Sequence, residues 1–154
     1  IRHKVKIIAS GKILTGYHIL RAMALGADAC NSARAMMMAI GCIQALQCNT
    51  NKCPTGVATQ DKWLAGGLVI DDKKHRVANY HRDTIESAME LTAAAGLTDP
   101  HHITRGHIFR RVFMNQVRSF EEIYPSVAAG LYLNGQVTET LKKELDVVSE
   151  DRWN

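Results

Sequence analysis

The chain has 154 residues, 46% of them hydrophobic and 22% charged, the balance of one globular domain that buries a core and not of a disordered chain. Its net charge of +4 and pI near 9.0 come from scattered Lys and Arg, and with 6% aromatic residues and no nucleic-acid-binding signature, no nucleic acid partner is expected. No stretch approaches the roughly 20 apolar residues of a membrane span, and IRHKVKIIAS lacks a signal-peptide h-region and cleavage site, so a cytoplasmic location is expected.

The chain opens on Ile1 and enters an apolar run at once, as a segment of a longer protein would. VKIIAS is β-branched and apolar, which predicts a strand buried on both faces, with Gly11 and Gly16 punctuating the turn after it. YHILRAMALG places Ile19, Leu20, Met23 and Ala24 on one helical face and reaches Gly26, where a left-handed cap belongs. ADAC predicts a second short strand, NSAR its exit loop, and AMMMAIGCIQALQ a helix running through Cys42 to Gln47. This order implies parallel strands joined by right-handed crossovers.

Farther on, DDKKHRVANYHRDTIESAMELTAAAG predicts a long amphipathic helix capped by Asp71 or Asp72 and stopped at Gly96. TDPHHI, with Asp99 as cap and Pro100 at the first helical position, and SFEEI, with a Ser119/Glu122 capping box, predict further helix starts. Arg105, Arg110 and Arg111 of TRGHIFRRV are expected on an exposed or subunit-facing helix. The second half is therefore expected to be mostly helix, with a charged, peripheral stretch at 135–154.

Three of the four cysteines fall together in CIQALQCNTNKCPTGVATQD, at Cys42, Cys48 and Cys53. A disulfide framework fits poorly without a secretion signal, and structural zinc prefers two Cys-x-x-Cys knuckles. Cys42 alone could be a small core residue on the Met-rich segment, but Cys48 and Cys53 stand in a polar loop. Irregular short spacing with Pro54 directly after the last Cys suits an iron–sulfur cluster, and three close thiols suit three irons, one thiolate each. Cys30 is read as core, and PTGVA as a source of backbone N–H groups for sulfur. Unbound cysteines and zinc stay open as alternatives.

The loops ASGKILTG and NSAR stand where the last two loops of a (β/α)8 barrel often bind phosphate. Gly11 would let the backbone approach the anion, Ser32 and the Ala33 amide would donate to it, and Arg34 would add a charge-assisted contact. Two ordinary turns are the alternative. The seven histidines, including His101-His102, form no recognisable catalytic arrangement, and no catalytic residue is assigned.

IIASGKILTGYHILRAMALGADACNSARAMM resembles the closing βαβ stretch of FMN-binding barrels, and GCIQALQCNTNKCPTGVATQD is similar to the cluster segment of the glutamate synthase FMN-binding domain. HRDTIESAMELTAAAGL resembles, more loosely, the helix after that cluster. The family often carries Gly-Gly where this chain has Ser10-Gly11, and a Gly-containing turn in place of NSARA. The resemblance implies an α/β fold: residues 1–61 as the last two βα units of a (β/α)8 TIM barrel with its iron–sulfur loop, and 62–154 as a helical extension. It implies Cys42, Cys48 and Cys53 as ligands of a 3Fe-4S cluster, and Gly11, Ser32, Ala33 and Arg34 at the FMN phosphate. The implied activity forms L-glutamate from 2-oxoglutarate and ammonia or glutamine nitrogen, with electrons from ferredoxin or a reduced pyridine-nucleotide subunit. A related oxidoreductase with another acceptor, or a zinc-stabilised interaction module, are the alternatives. Two strands cannot close a barrel, so the chain alone is expected to be inactive and oligomeric, needing the remaining strands as partners.

Overall fold

The structure is a computed structural model and describes residues 2–147. Strands β1 (Ile8–Ala9) and β2 (Ala29–Cys30) pair in parallel, with Ile8 opposite Ala29 and Ala9 opposite Cys30. Helix α1 (Gly16–Ala24) connects them, and α2 (Arg34–Ala39) follows β2, so the strand–helix–strand–helix order expected from the sequence is present. At the foot of the pair the Asp28 carboxylate accepts the Ile7 N–H at 2.7 Å and a guanidinium N–H of Arg2 at 2.8 Å. Those contacts hold its pKa below the ordinary carboxylate value.

Helix α1 starts on Thr15, whose hydroxyl accepts the His18 N–H, and ends as its Gly-rich exit predicts. The N–H of Gly26 donates to Met23 and that of Ala27 to Ala22, the two bonds of a Schellman cap. Helix α2 ends the same way and thereby departs from expectation. The N–H of Gly41 donates to Met38 and that of Cys42 to Met37, so the helix stops at Ala39 and does not reach Gln47. Cys42 is consequently the first residue beyond a cap and not part of a helix.

Helix α3 (Lys62–Ala65) is capped by Asp61, and α4 (Ile70–Ala94) is the longest element described. Asp71 and Asp72 do not cap α4. Val69 holds that position, and the two carboxylates lie in the first turn, where they favour the positive end of the helix. Helix α4 lies against both α1 and α2. Gly16 is no turn residue but the first residue of α1, at its closest approach to α4: a Cβ there would stand 2.4 Å from the Ala88 nitrogen.

Beyond α4 the chain is less helical than expected. Pro100–His102 is a single 3-10 turn, although Asp99 does accept the His101 N–H. Arg105 stands in another such turn, and Arg110 and Arg111 lie on a strand, β3 (Phe109–Phe113), paired antiparallel with β4 (Gln116–Ser119). IFRRVF flanks its two Arg with a pair of β-formers on each side, and pairing with β4 overrides the helix propensity of Arg. The predicted Ser119/Glu122 capping box opens α5 (Phe120–Ile123). A last helix, α6 (Glu139–Leu145), falls within the stretch expected to be peripheral, of which 148–154 lie outside the described residues.

Leu20 and Ala24 of α1 share a core with Ile103, Ile108 and Phe120, so the residues after α4 pack back onto the first helix. The parallel strands carry little cover: Ile8 is 67% exposed, and Val5 and Ile7 are exposed as well. A strand expected to be buried on both faces is open on this chain.

Candidate functional site

Between β1 and α1 the chain turns through Gly11 and Lys12, both at positive φ (94° and 56°). Among the described residues, the N–H groups of Gly11, Lys12 and Ile13 donate no hydrogen bond. The carbonyls that follow are occupied. Ser32 donates its hydroxyl to the Ile13 oxygen at 2.7 Å, and Tyr80 of α4 donates its hydroxyl to the Leu14 oxygen. The Leu14 N–H donates to Nδ1 of His18 at 3.3 Å.

This turn forms one wall of a cavity of about 670 Å³. Ala33 and Arg34 of the β2–α2 connection form a second wall, and Cys42 and Cys48 border it from the other end of α2. Lys12 and Arg34 are its cations, and among the described residues no carboxylate lines it. Met37, Met38 and Leu46 supply apolar surface. A cationic wall with free turn N–H groups suits a phosphate dianion.

The thiol loop begins at the Gly41 cap. The Gln44 N–H points back to the Cys42 sulfur at 3.4 Å. Gln44, Leu46 and Asn51 all adopt positive φ (57°, 56° and 61°), a conformation that persists for residues with a Cβ only where surrounding contacts impose it. Asn51 closes the far half of the loop: its side-chain oxygen accepts the Gln60 N–H at 2.6 Å, and its carbonyl accepts the Thr59 hydroxyl at 2.7 Å. Cys48 is exposed.

Cys53 is 8% exposed and lies inside this closed segment. Hydrogen bonds from the Thr55 hydroxyl, and from the backbone N–H groups of Ala58, Thr55 and Val57, lower its pKa to about 7. The Thr55 hydroxyl lies 3.5 Å from the sulfur, and all of these groups fall within the CPTGVA segment. Gly56 seats the segment on α3, where a Cβ would stand 2.4 Å from the Leu64 carbonyl oxygen. Cys30 differs in every respect. Burial raises its pKa, and its S–H faces the Ile19 carbonyl at 3.8 Å, so it stays a protonated thiol, half-buried and not in the core where the sequence placed it.

Gly11, Ala33, Arg34, Cys42 and Cys48 therefore share one cavity, whereas Ser32 and Cys53 do not line it. Ser32 spends its hydroxyl on the turn itself. Among the described residues no three His, Cys, Asp or Glu side chains converge on one point, as zinc would need. A trinuclear cluster sets a different requirement, one thiolate per iron around a body several ångströms across, and a loop with one lowered thiol pKa and N–H groups aimed at sulfur meets its chemistry. Sequence reasoning missed Lys12, though it adjoins Gly11 in SGKI. It also missed Tyr80, which is 66 residues from its partner and had no local signal.

The sequence profile described as "Conserved region in glutamate synthase" matches residues 1–98, which contain the turn, the thiol loop and α4. The chain belongs to the glutamate synthase family. It is 49% identical over 111 residues to the glutamate synthase large subunit-like protein YerD of Bacillus subtilis, covering 72% of this chain and 21% of that protein. It is 38% identical over 97 residues to the archaeal glutamate synthase (NADPH) of Methanocaldococcus jannaschii, covering 63% and 19%. Identity to the glutamate synthase (NADPH) large chain of Azospirillum brasilense is 35% over 96 residues, covering 62% and 6%. The chain thus spans about a fifth or less of the length of these relatives. Among the described residues no helix is long and apolar enough to cross a membrane.

Proposed function

We propose that this chain supplies the phosphate end of an FMN site and the three-thiolate loop of a 3Fe-4S cluster to a glutamate synthase. The supporting observation is the single cavity walled by Gly11, Lys12, Ala33 and Arg34 at one end and by Cys42 and Cys48 at the other. In this reading β1 and β2 are the last strands of a (β/α)8 barrel, and strands outside residues 1–154 complete it and hold the flavin ring.

Lys12, Arg34 and the turn N–H groups bind the phosphate, fixing where the cofactor begins. Cys42, Cys48 and Cys53 bind one iron each, and the donors around Cys53 favour its thiolate at neutral pH. When bound, FMN supplies hydride transfer and the cluster supplies single electrons. The substrates are 2-oxoglutarate and ammonia or glutamine nitrogen. Ferredoxin or reduced pyridine nucleotide is the electron source, and the names of the Methanocaldococcus and Azospirillum relatives favour the latter.

Metal and acid-labile sulfide analysis of the anaerobically prepared holoenzyme tests this reading. Iron and sulfide should both be present, disappear in Cys48→Ser, and persist in Cys30→Ser. Zinc alone, or a cluster lost with Cys30, would overturn the ligand assignment.

A further inference from the structure

The turn Ser10–Leu14, exposed as far as Lys12 and buried at Ile13, has no backbone hydrogen bond of its own among the described residues, yet it holds a left-handed course at two consecutive positions, the second of them Lys12, which carries a Cβ. What holds it is three side chains from three separate elements, all aimed at Ile13 and Leu14: Ser32 after β2, Tyr80 on α4 and His18 on α1. Two of the three bonds capture carbonyl oxygens. The peptides so fixed, Ile13–Leu14 and Leu14–Thr15, lie immediately downstream of the three free N–H groups.

We infer that Tyr80 and Ser32 are positioning residues for phosphate recognition: by fastening the Leu14 and Ile13 carbonyls they fix the downstream end of the turn, and with it the course of the chain that presents the N–H groups of Gly11, Lys12 and Ile13 to the cavity. This rests on the FMN reading above. Neither hydroxyl touches the phosphate. Ser32 therefore contributes through the turn, and Tyr80 extends the site to a helix that lines none of the cavity.

The effect is confined to the phosphate, so comparing FMN with riboflavin, which lacks it, isolates the effect. In apoprotein prepared from the holoenzyme, Tyr80→Phe keeps the ring and removes the hydroxyl, and Ser32→Ala does the same at the other carbonyl. Each should weaken FMN about tenfold, the size of one lost hydrogen-bond contribution, and leave riboflavin unchanged. Parallel weakening of both ligands would mean a merely structural role, and an unchanged FMN dissociation constant would also overturn the inference. Should Tyr80→Phe fail to fold, Ser32→Ala carries the same comparison. Arg34→Ala separates the two levels. If it weakens FMN while the hydroxyl variants do not, only the inference falls. If Arg34→Ala is silent too, the phosphate lies elsewhere and the FMN reading falls with it.

Discussion

Replacing Gly56 by alanine should lift the thiol loop off its seat. Gly56 has φ +74°, and a Cβ there would stand 2.4 Å from the Leu64 carbonyl oxygen and 3.2 Å from the Ala65 Cα. Both are backbone atoms of the short helix beneath, so no rotamer change relieves the clash. The left-handed backbone costs a residue with a Cβ about 1–2 kcal/mol. Overpacking adds about 1–3 kcal/mol, for a total of about 2–5 kcal/mol, a large part of a domain's ~5–15 kcal/mol. The least costly relief is local: residues 53–58 move away from α3, and the N–H groups of Val57 and Ala58 leave the Cys53 sulfur. Iron and sulfide per chain should therefore fall before global unfolding sets in. Gly96→Ala is the control, because Gly96 also has positive φ (+76°) but faces open space, so only the conformational part applies. Metal analysis with urea denaturation of both variants decides the matter. If Gly56→Ala keeps a full cluster and a midpoint no lower than Gly96→Ala, the loop is not seated as described.

The thiol chemistry and the open strands each give a further expectation. The Cys53 pKa falls from the ordinary thiol value to about 7, so its thiolate stabilises the folded apoprotein above the unfolded thiol pKa, and that contribution is lost as pH falls through about 7. Wild-type apoprotein should accordingly gain stability over Cys53→Ser as pH rises from 7 toward 9, and a constant difference across that window would refute the assignment. Expressed alone, residues 1–154 should associate through the uncovered β1–β2 edges and the exposed Ile8, giving oligomers in light scattering; a monodisperse monomer would show that these edges are covered from within.

How far the sequence discloses this arrangement depends on how local each cause is. The βαβα order and the stops at Gly26 and Gly96 were legible because hydrophobic period and a C-terminal glycine are written within one turn of the helix they describe. Gly41 carried the same signal and was overridden by the apolar, helix-favouring run on both sides of it. In the structure the cap wins, since two N–H groups find carbonyls there. The β3–β4 hairpin escaped notice because its turn, Met114-Asn115, lacks the glycine that usually marks one. Within the site, the environment of Cys53 was legible because its donors lie in the next five residues. The fastening of the turn was not: Ser32 reads as a ligand until its hydroxyl is seen on Ile13, and Tyr80 reaches its carbonyl only by tertiary packing.

That packing also sets the distance between the two ends of the cavity. Arg34 opens α2 and Cys42 follows its cap, so the helix is the spacer between the phosphate wall and the first thiol. A helix of six residues is about 9 Å long and far too short to hold its shape alone in water. Helix α4 braces it. Val77 and Ala78 of α4 face Met36 of α2 and Ile40, the residue just past its end, across an apolar groove. The brace reaches past both ends of the spacer: Tyr80 fastens the phosphate turn, and the Lys73 side chain comes within 3.7 Å of where a Cβ on Gly41 would stand. The two ends of the cavity are thus held by one long helix, not by each other. The family match stops at residue 98, just past the end of α4. It therefore contains the turn, the spacer, the thiol loop and their brace, and leaves out the hairpin, none of which lines the cavity.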